Sequence, residues 1–259
     1  MKLTHKTISL LALAATLACA SATSNSQEET KTTKDTESIT KGNLAMPQTQ
    51  ALEERKQNFA KKADEKTKAI YTEGLSELSE SGILEAAKNV GDKAPEFTLK
   101  NATGNDVSLT QKLKDGPVVL VWYRGGWCPY CNINLHYLQE ESANIKAQGA
   151  SIIAISPEKP DESMTTAEKN ELEFEVLSDL HNKVAKEYGV VFELTEEVAA
   201  IYNEKFGLND HNGDNSNELP LAATYIINTD GTIAYAFLDT DYRNRLEPKK
   251  ITEFLKSLN

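Results

Sequence analysis

Cysteine is nearly absent from this chain: its 259 residues contain Cys19, Cys128 and Cys131 and no others. That excludes a framework of structural disulfides, because a bridge between positions three apart closes too small a loop to draw much stability from the unfolded chain. Arginine is almost as scarce, with Arg55, Arg124, Arg243 and Arg245 the complete set. Basic residues are outnumbered, 28 Lys and Arg against 39 Asp and Glu, for a formal net charge of −11. A surface of that sign repels a phosphate backbone, so no nucleic-acid partner is expected. His136, His181 and His211 show no paired spacing with Cys128 and Cys131. The pair alone supplies only two ligands, so neither a metal nor any other cofactor is expected. After the first twenty residues there is no apolar run near the ~20 residues that a membrane-spanning helix needs.

What is present divides the chain. Residues 1–20 read as an export signal, with Lys2 and Lys6 ahead of a short apolar stretch at 8–17. Cys19 has two readings there. Ala18, Cys19 and Ala20 fit a small-x-small cleavage site, whereas Leu17, Ala18 and Cys19 resemble the end of a bacterial lipoprotein signal, in which the cysteine carries the lipid. Either way the protein is expected outside the cytoplasm, periplasmic or as a membrane-anchored lipoprotein of a bacterium. Residues 21–50 are rich in Ser, Thr, Glu, Lys and Asn, the composition of a disordered tether.

From 51 to 90 the pattern turns helical. Leu52, Phe59, Ala63 and Ile70 recur at heptad-like spacing, and Leu75, Leu78, Ile83 and Leu84 follow across Gly74 and Gly82, which predicts two helices packed on a core. Strands then alternate with helices over 91–259. Strands are predicted at 96–100, 106–109, 117–123, 151–156 and 173–177, with a terminal hairpin at 221–228 and 232–238. Helices are predicted at 132–148, 182–188, 195–206 and 248–258, with a Gly-, Asn- and Asp-rich loop at 207–218. Parallel strands crossing through helices, closed by a hairpin and a helix, describe a three-layer α/β sandwich of thioredoxin-like order.

The chemistry sits at the junction of strand 117–123 and helix 132–148. Cys128 and Cys131 flank Pro129 and Tyr130, so Cys128 falls at a helix N-terminus, where free N–H groups and the dipole favour a thiolate. Cys131 lies one turn further in, within reach of a disulfide with Cys128. Gly125 and Gly126 permit a tight turn and offer N–H groups toward a substrate. Arg124, Gly126, Trp127 and Arg243 are the candidates for polarising that substrate. Arg243 and Arg245 follow the last strand and have to fold back to contribute; a solvated or salt-bridged role is the expectation for both, with polarisation the competing one. Trp127 and Tyr130 are candidates for a groove beside the sulfur, whereas Tyr123 has the position of a core residue. His136 reads as a core or surface histidine.

Seven segments together resemble the peroxiredoxin-like branch of the thioredoxin superfamily, the group of alkyl hydroperoxide reductase and thiol-specific antioxidant proteins. They are 90–99 (VGDKAPEFTL), 117–132 (PVVLVWYRGGWCPYCN), 152–157 (IIAISP), 176–179 (VLSD), 184–190 (VAKEYGV), 223–231 (ATYIINTDG) and 239–245 (DTDYRNR). The resemblance implies a thiol-dependent peroxidase that takes hydrogen peroxide or organic hydroperoxides. A Cys128 sulfenic acid would be resolved by Cys131 as a disulfide, and a thioredoxin-like or other dithiol donor would reduce that disulfide. Peroxiredoxins proper carry Pro, Thr or Ser, and Arg where this chain has Val121, Gly125 and Ala222. The Trp-Cys-Pro-Tyr-Cys run instead resembles thioredoxin and glutaredoxin centres. An exported thiol-disulfide oxidoreductase acting on protein disulfides, and a tethered binding module, are the competing expectations.

Overall fold

A computed structural model describes residues 46–258; the export signal, Cys19 and residues 21–45 of the expected tether lie outside that span. Three helices come first, α1 (Pro47–Lys62), α2 (Glu65–Glu80) and the single turn α3 (Ile83–Ala86). Then come β1 (Thr98–Asn101), β2 (Asp106–Ser108), α4 (Leu109–Lys112), β3 (Val118–Trp122), α5 (Pro129–Ala147), β4 (Ser151–Ser156), α6 (Pro160–Lys169) and β5 (Glu175–Ser178). The second half holds α7 (Lys183–Glu187), β6 (Val191–Glu193), α8 (Glu196–Phe206), α9 (Leu208–Asn212), β7 (Glu218–Pro220), β8 (Thr224–Ile227), β9 (Ile233–Phe237) and α10 (Pro248–Leu258).

Seven strands form one sheet in the order β2, β1, β5, β4, β3, β8, β9. β3, β4 and β5 run parallel, as strands joined by crossover helices must, while β8 returns antiparallel to β3 and turns into β9. The apolar run of β3 is explained by burial on both faces. Val118, Leu120 and Trp122 join a cluster with Ile153, Leu177 and Tyr225. Val119 and Val121 point to the other face, where Leu138 of α5 and Ile251 and Leu255 of α10 cover them. This is the expected three-layer sandwich.

Three features differ from the sequence expectation. The tether does not extend to residue 50, because α1 begins at Pro47, with proline at its first turn and Gln48 and Leu52 buried. The helices are divided at Ala63 and Asp64, where the Asp64 carboxylate accepts from the Thr67 N–H and caps α2. Gly74 lies inside α2, where a Cβ would press on Val198 at 3.0 Å. Residues 218–220, at the end of the predicted 207–218 loop and before the predicted hairpin, form β7 and pair with β6 in a separate two-stranded ribbon, and that loop contains α9 between left-handed Gly207 and Gly213.

The N-terminal helices are fastened to the sandwich. α1 packs on α5, with Gln48 Nε2 donating to the Leu246 carbonyl at 2.9 Å and Asn134 Nδ2 donating to Gln48 Oε1 at 2.8 Å. Glu247 accepts from both the N–H and the hydroxyl of Thr49. α2 packs on α8.

Candidate active site

β3 ends at Trp122, and the chain turns through residues 123–127 before Cys128 opens α5 as its N-cap. Gly125 has φ +152°, and a Cβ there would collide with the Trp127 indole; a Cβ on Gly126 would collide with the Thr166 hydroxyl. The glycine pair is therefore the condition for the turn. Pro129 starts the helix, and the N–H groups of Cys131 and Asn132 donate to the Cys128 carbonyl. Both cysteines are free thiols and buried, Cys128 1% and Cys131 0% exposed. Leu52, Tyr123, Tyr130 and Leu135 pack around them.

Two buried arginines flank the pair. Arg245 folds back as an arginine after the last strand must, and its Nη2 donates to Cys131 Sγ at 3.3 Å. This corrects the expectation of a solvated or salt-bridged Arg245. Arg124 is 2% exposed, and its guanidinium carbon stands 3.7 Å from the Tyr242 ring centre, 4.8 Å from that of Tyr202 and 5.0 Å from that of Trp127. Cation–π attraction replaces a carboxylate partner there. Among the described residues no ion pair involves Arg124, and its Nε has no acceptor. Burial works against its charge, but the phenols of Tyr202 and Tyr242 and the two thiols outweigh it, so its pKa is raised and it stays protonated.

The two thiols diverge. Burial pushes the Cys128 thiol up, and its hydrogen bond to Cys131 adds to the rise. Burial pushes Cys131 up as well, but the Cys128 hydrogen bond, Arg245 and Arg124 prevail and bring it down to about 5. The pair therefore holds one proton on Cys128 and a thiolate on Cys131, the sulfur that Arg245 touches.

The other candidates are placed as follows. The Gly126 N–H donates to both carboxylate oxygens of Glu158, at 2.9 and 3.0 Å, so it is not open to a substrate. Trp127 packs against Tyr202 and Phe206, with ring centres 5.4 and 5.6 Å apart. Arg243 is engaged by its neighbour Asp241, Nε to Oδ1 at 2.7 Å and Nη2 to Oδ2 at 2.8 Å, which corrects its candidacy as a free polarising cation. Tyr123 is fully buried and Tyr130 nearly so, neither hydroxyl having a partner, and His136 is an exposed residue beside Glu140.

Sequence reasoning missed Glu158, Tyr202, Tyr242 and Leu52. Glu158 had a legible signal: it follows the C-terminal end of β4, the parallel neighbour of β3, and the loops after adjacent parallel strands meet. His211 Nδ1 lies 3.4 Å from Glu158 and 3.1 Å from Glu162, both without hydrogen-bond alignment. Glu158 raises the His211 pKa above the usual histidine range, against its burial.

Comparison with known proteins agrees with this arrangement. Residues 90–236 match the AhpC/TSA family. Among named relatives, the chloroplastic peroxiredoxin Q of Populus jackii is 31% identical over 195 residues, covering 74% of this chain and 79% of the relative. That of Gentiana triflora is 32% identical over 169 residues, 65% of each chain, so the match spans just under two thirds of that relative's length. The crystal structure of peroxidoxin BcpB from Mycobacterium tuberculosis superposes with TM-score 0.53 at 22% identity, covering 66% of this chain and 98% of that one. A peroxiredoxin-like protein from Aquifex aeolicus gives TM-score 0.52 at 19% identity, covering 67% and 89%. These two likenesses concern the fold, and the family match spans more than half of the sequence: the chain belongs to the AhpC/TSA family, in the peroxiredoxin branch of the thioredoxin superfamily.

Proposed function

We propose that the protein is a thiol-dependent peroxidase working through the Cys128 and Cys131 couple. The observation that carries this reading is a buried, reduced cysteine pair whose Cys131 Sγ accepts from the buried Arg245, with a second buried arginine, Arg124, four residues before Cys128. The Cys131 thiolate takes the proton from Cys128 as Cys128 sulfur attacks one peroxide oxygen; the S–O bond forms and the O–O bond breaks. Cys128 becomes a sulfenic acid, and the departing alkoxide or hydroxide takes a proton from solvent, with Arg124 stabilising its developing charge. Cys131, now a thiol, displaces the hydroxyl of the sulfenic acid as water, and the disulfide forms. A thioredoxin-like or other dithiol donor then restores both thiols.

For the N-terminal segment we propose export, with lipidation at Cys19 as the tether; mass spectrometry of the mature N-terminus from the native host distinguishes lipidation from cleavage. Activity is tested by dithiothreitol-dependent consumption of peroxide. Turnover by wild type that vanishes in Cys128→Ser is expected, and equal turnover by the two would overturn the assignment.

A further inference from the structure

The cavity between α2 and β6 plays no part in the chemistry above. It has a volume of about 420 Å³, and Leu75 and Leu78 of α2 and Val191 and Phe192 of β6 line it together with Arg124 and Tyr242. A volume of this size falls in the range of small-ligand sites. Neither cysteine lines it, so a molecule held there meets Arg124 and not sulfur. The α2 wall lies before residue 90, outside the segment that matches the family, so the cavity depends on this chain's own helical extension.

Charge and polarity specify the occupant. Arg124 is 2% exposed and is the one Lys or Arg among the described lining residues. Among the described residues it has no carboxylate partner, and its Nε has no acceptor. The rings of Tyr202, Tyr242 and Trp127 attract its positive charge, but they supply no oxygen for the N–H edge, where a carboxylate binds guanidinium in bidentate fashion. A buried charge without a counter-ion is costly, and an anion from outside relieves that cost. Glu77 and Glu193 also line the cavity, yet both are exposed, so solvent screens them while Arg124 stays unscreened. One buried cation facing two exposed carboxylates selects a head group of single negative charge over a dianion such as a phosphate monoester. The apolar walls select the body.

We propose that this cavity binds an apolar monocarboxylic acid of the fatty-acid type, with its carboxylate on Arg124 and its chain between α2 and β6, and that the disulfide form of the protein binds it more tightly than the reduced form. The redox preference follows from sharing one cation. Arg124 lies four residues before Cys128, and its charge favours the thiolate at both cysteines. In the reduced protein the Cys131 thiolate competes with the ligand for that charge, whereas the disulfide is neutral and does not. By the reciprocity of linkage, the bound acid favours the disulfide over the thiols. It also takes Arg124 away from the peroxide step, a consequence that rests on the peroxidase reading, as the binding itself does not.

The test is calorimetric titration of the full chain at pH 7 with decanoate, below its micelle threshold, and with 1-decanol, which has the same body and a neutral head. Wild type is titrated reduced and as the disulfide, formed with diamide so that the measurement stands whether or not the protein reduces peroxide. Two cavity-filling variants at partly buried wall positions, Leu75→Trp and Val191→Phe, are titrated after a check for the wild-type circular dichroism spectrum. Decanoate is expected to bind wild type about tenfold or more tightly than 1-decanol, as a hydrogen bond to a charged group allows. Its Kd should be about fivefold or more lower for the disulfide than for the reduced protein, and binding should be lost in whichever filling variant is folded. No decanoate binding, equal affinity for the acid and the alcohol, equal affinity of the two redox forms, or decanoate binding that survives in a folded filling variant overturns the proposal. If neither variant folds, the two wild-type comparisons decide it.

Discussion

Replacing Arg245 with methionine removes the one guanidinium that donates directly to a cysteine sulfur, Nη2 to Cys131 Sγ at 3.3 Å, while keeping an unbranched apolar stem in its buried place. A hydrogen bond to a charged group contributes about 1.5–3 kcal/mol, and about 1.4 kcal/mol corresponds to one pKa unit. Arg124 and the Cys128 S–H remain in the variant, so the Cys131 pKa, about 5 in the wild type, is expected to rise by roughly one to two units. The sign follows from charge: without the cation the neutral thiol gains on the thiolate. Rates of alkylation by iodoacetamide, followed against pH by mass spectrometry, give the titration curve. Near the wild-type midpoint the variant should react about five- to fiftyfold more slowly, and the two curves should converge above the variant's pKa. A variant curve that overlies the wild type, or moves to lower pH, would refute the assignment of the thiolate to Cys131. The same group links to stability. Its folded pKa is depressed, so its contribution is fully present above the unfolded thiol value of about 8.5 and is lost as pH falls through about 5. Urea melts of reduced Arg245→Met should show a shallower loss across that window.

Further outcomes follow from the same geometry. Cys131→Ser should accumulate a Cys128 sulfenic acid or its higher oxides after peroxide treatment, read by mass spectrometry; a persisting catalytic cycle with an intact Cys128 would mean that another thiol resolves it. Leu52→Ala, at a buried position over the pair, should cost about 2–3 kcal/mol in denaturant melts and speed alkylation of both cysteines; an unchanged alkylation rate would show that α1 does not cover them. Gly125→Ala should destabilise by about 1–3 kcal/mol, since its φ of +152° and the Trp127 indole leave no room for a Cβ; a neutral melt would contradict that turn. His211 has a raised folded pKa, so its contribution is present below about 6.5 and is lost as pH rises through the folded value. His211→Gln should therefore be less stable than wild type at low pH and approach it at high pH, and the reverse trend would contradict the contact with Glu158.

What the sequence made legible was local. The apolar β3 run, the Cys-Pro-Tyr-Cys step into α5 and the glycines before it place the sulfurs at a helix N-terminus without any tertiary information. Arg245 could not be placed this way, because 114 positions separate it from Cys131 and its approach depends on how the chain leaves β9. Arg243, two residues earlier, carries the same charge and is captured by Asp241, a distinction that side-chain direction alone decides. The start of α1 at Pro47 was hidden by the polar composition around it: Gln48 is a buried residue that hydrogen bonds satisfy, which a hydropathy pattern does not register. The β6 and β7 ribbon is three residues on each side and falls below any periodicity.

The central claim is that Cys128 reacts with peroxide as a catalyst and not as an ordinary thiol. Stopped-flow mixing of the reduced protein with excess hydrogen peroxide, and separately with cumene hydroperoxide, follows sulfur oxidation through the fluorescence of Trp127, which packs against Arg124 beside the pair. Oxidation of wild type far faster than free cysteine at the same pH, and its loss in Cys128→Ser, is the predicted result. Rates no faster than free cysteine for both peroxides would contradict it.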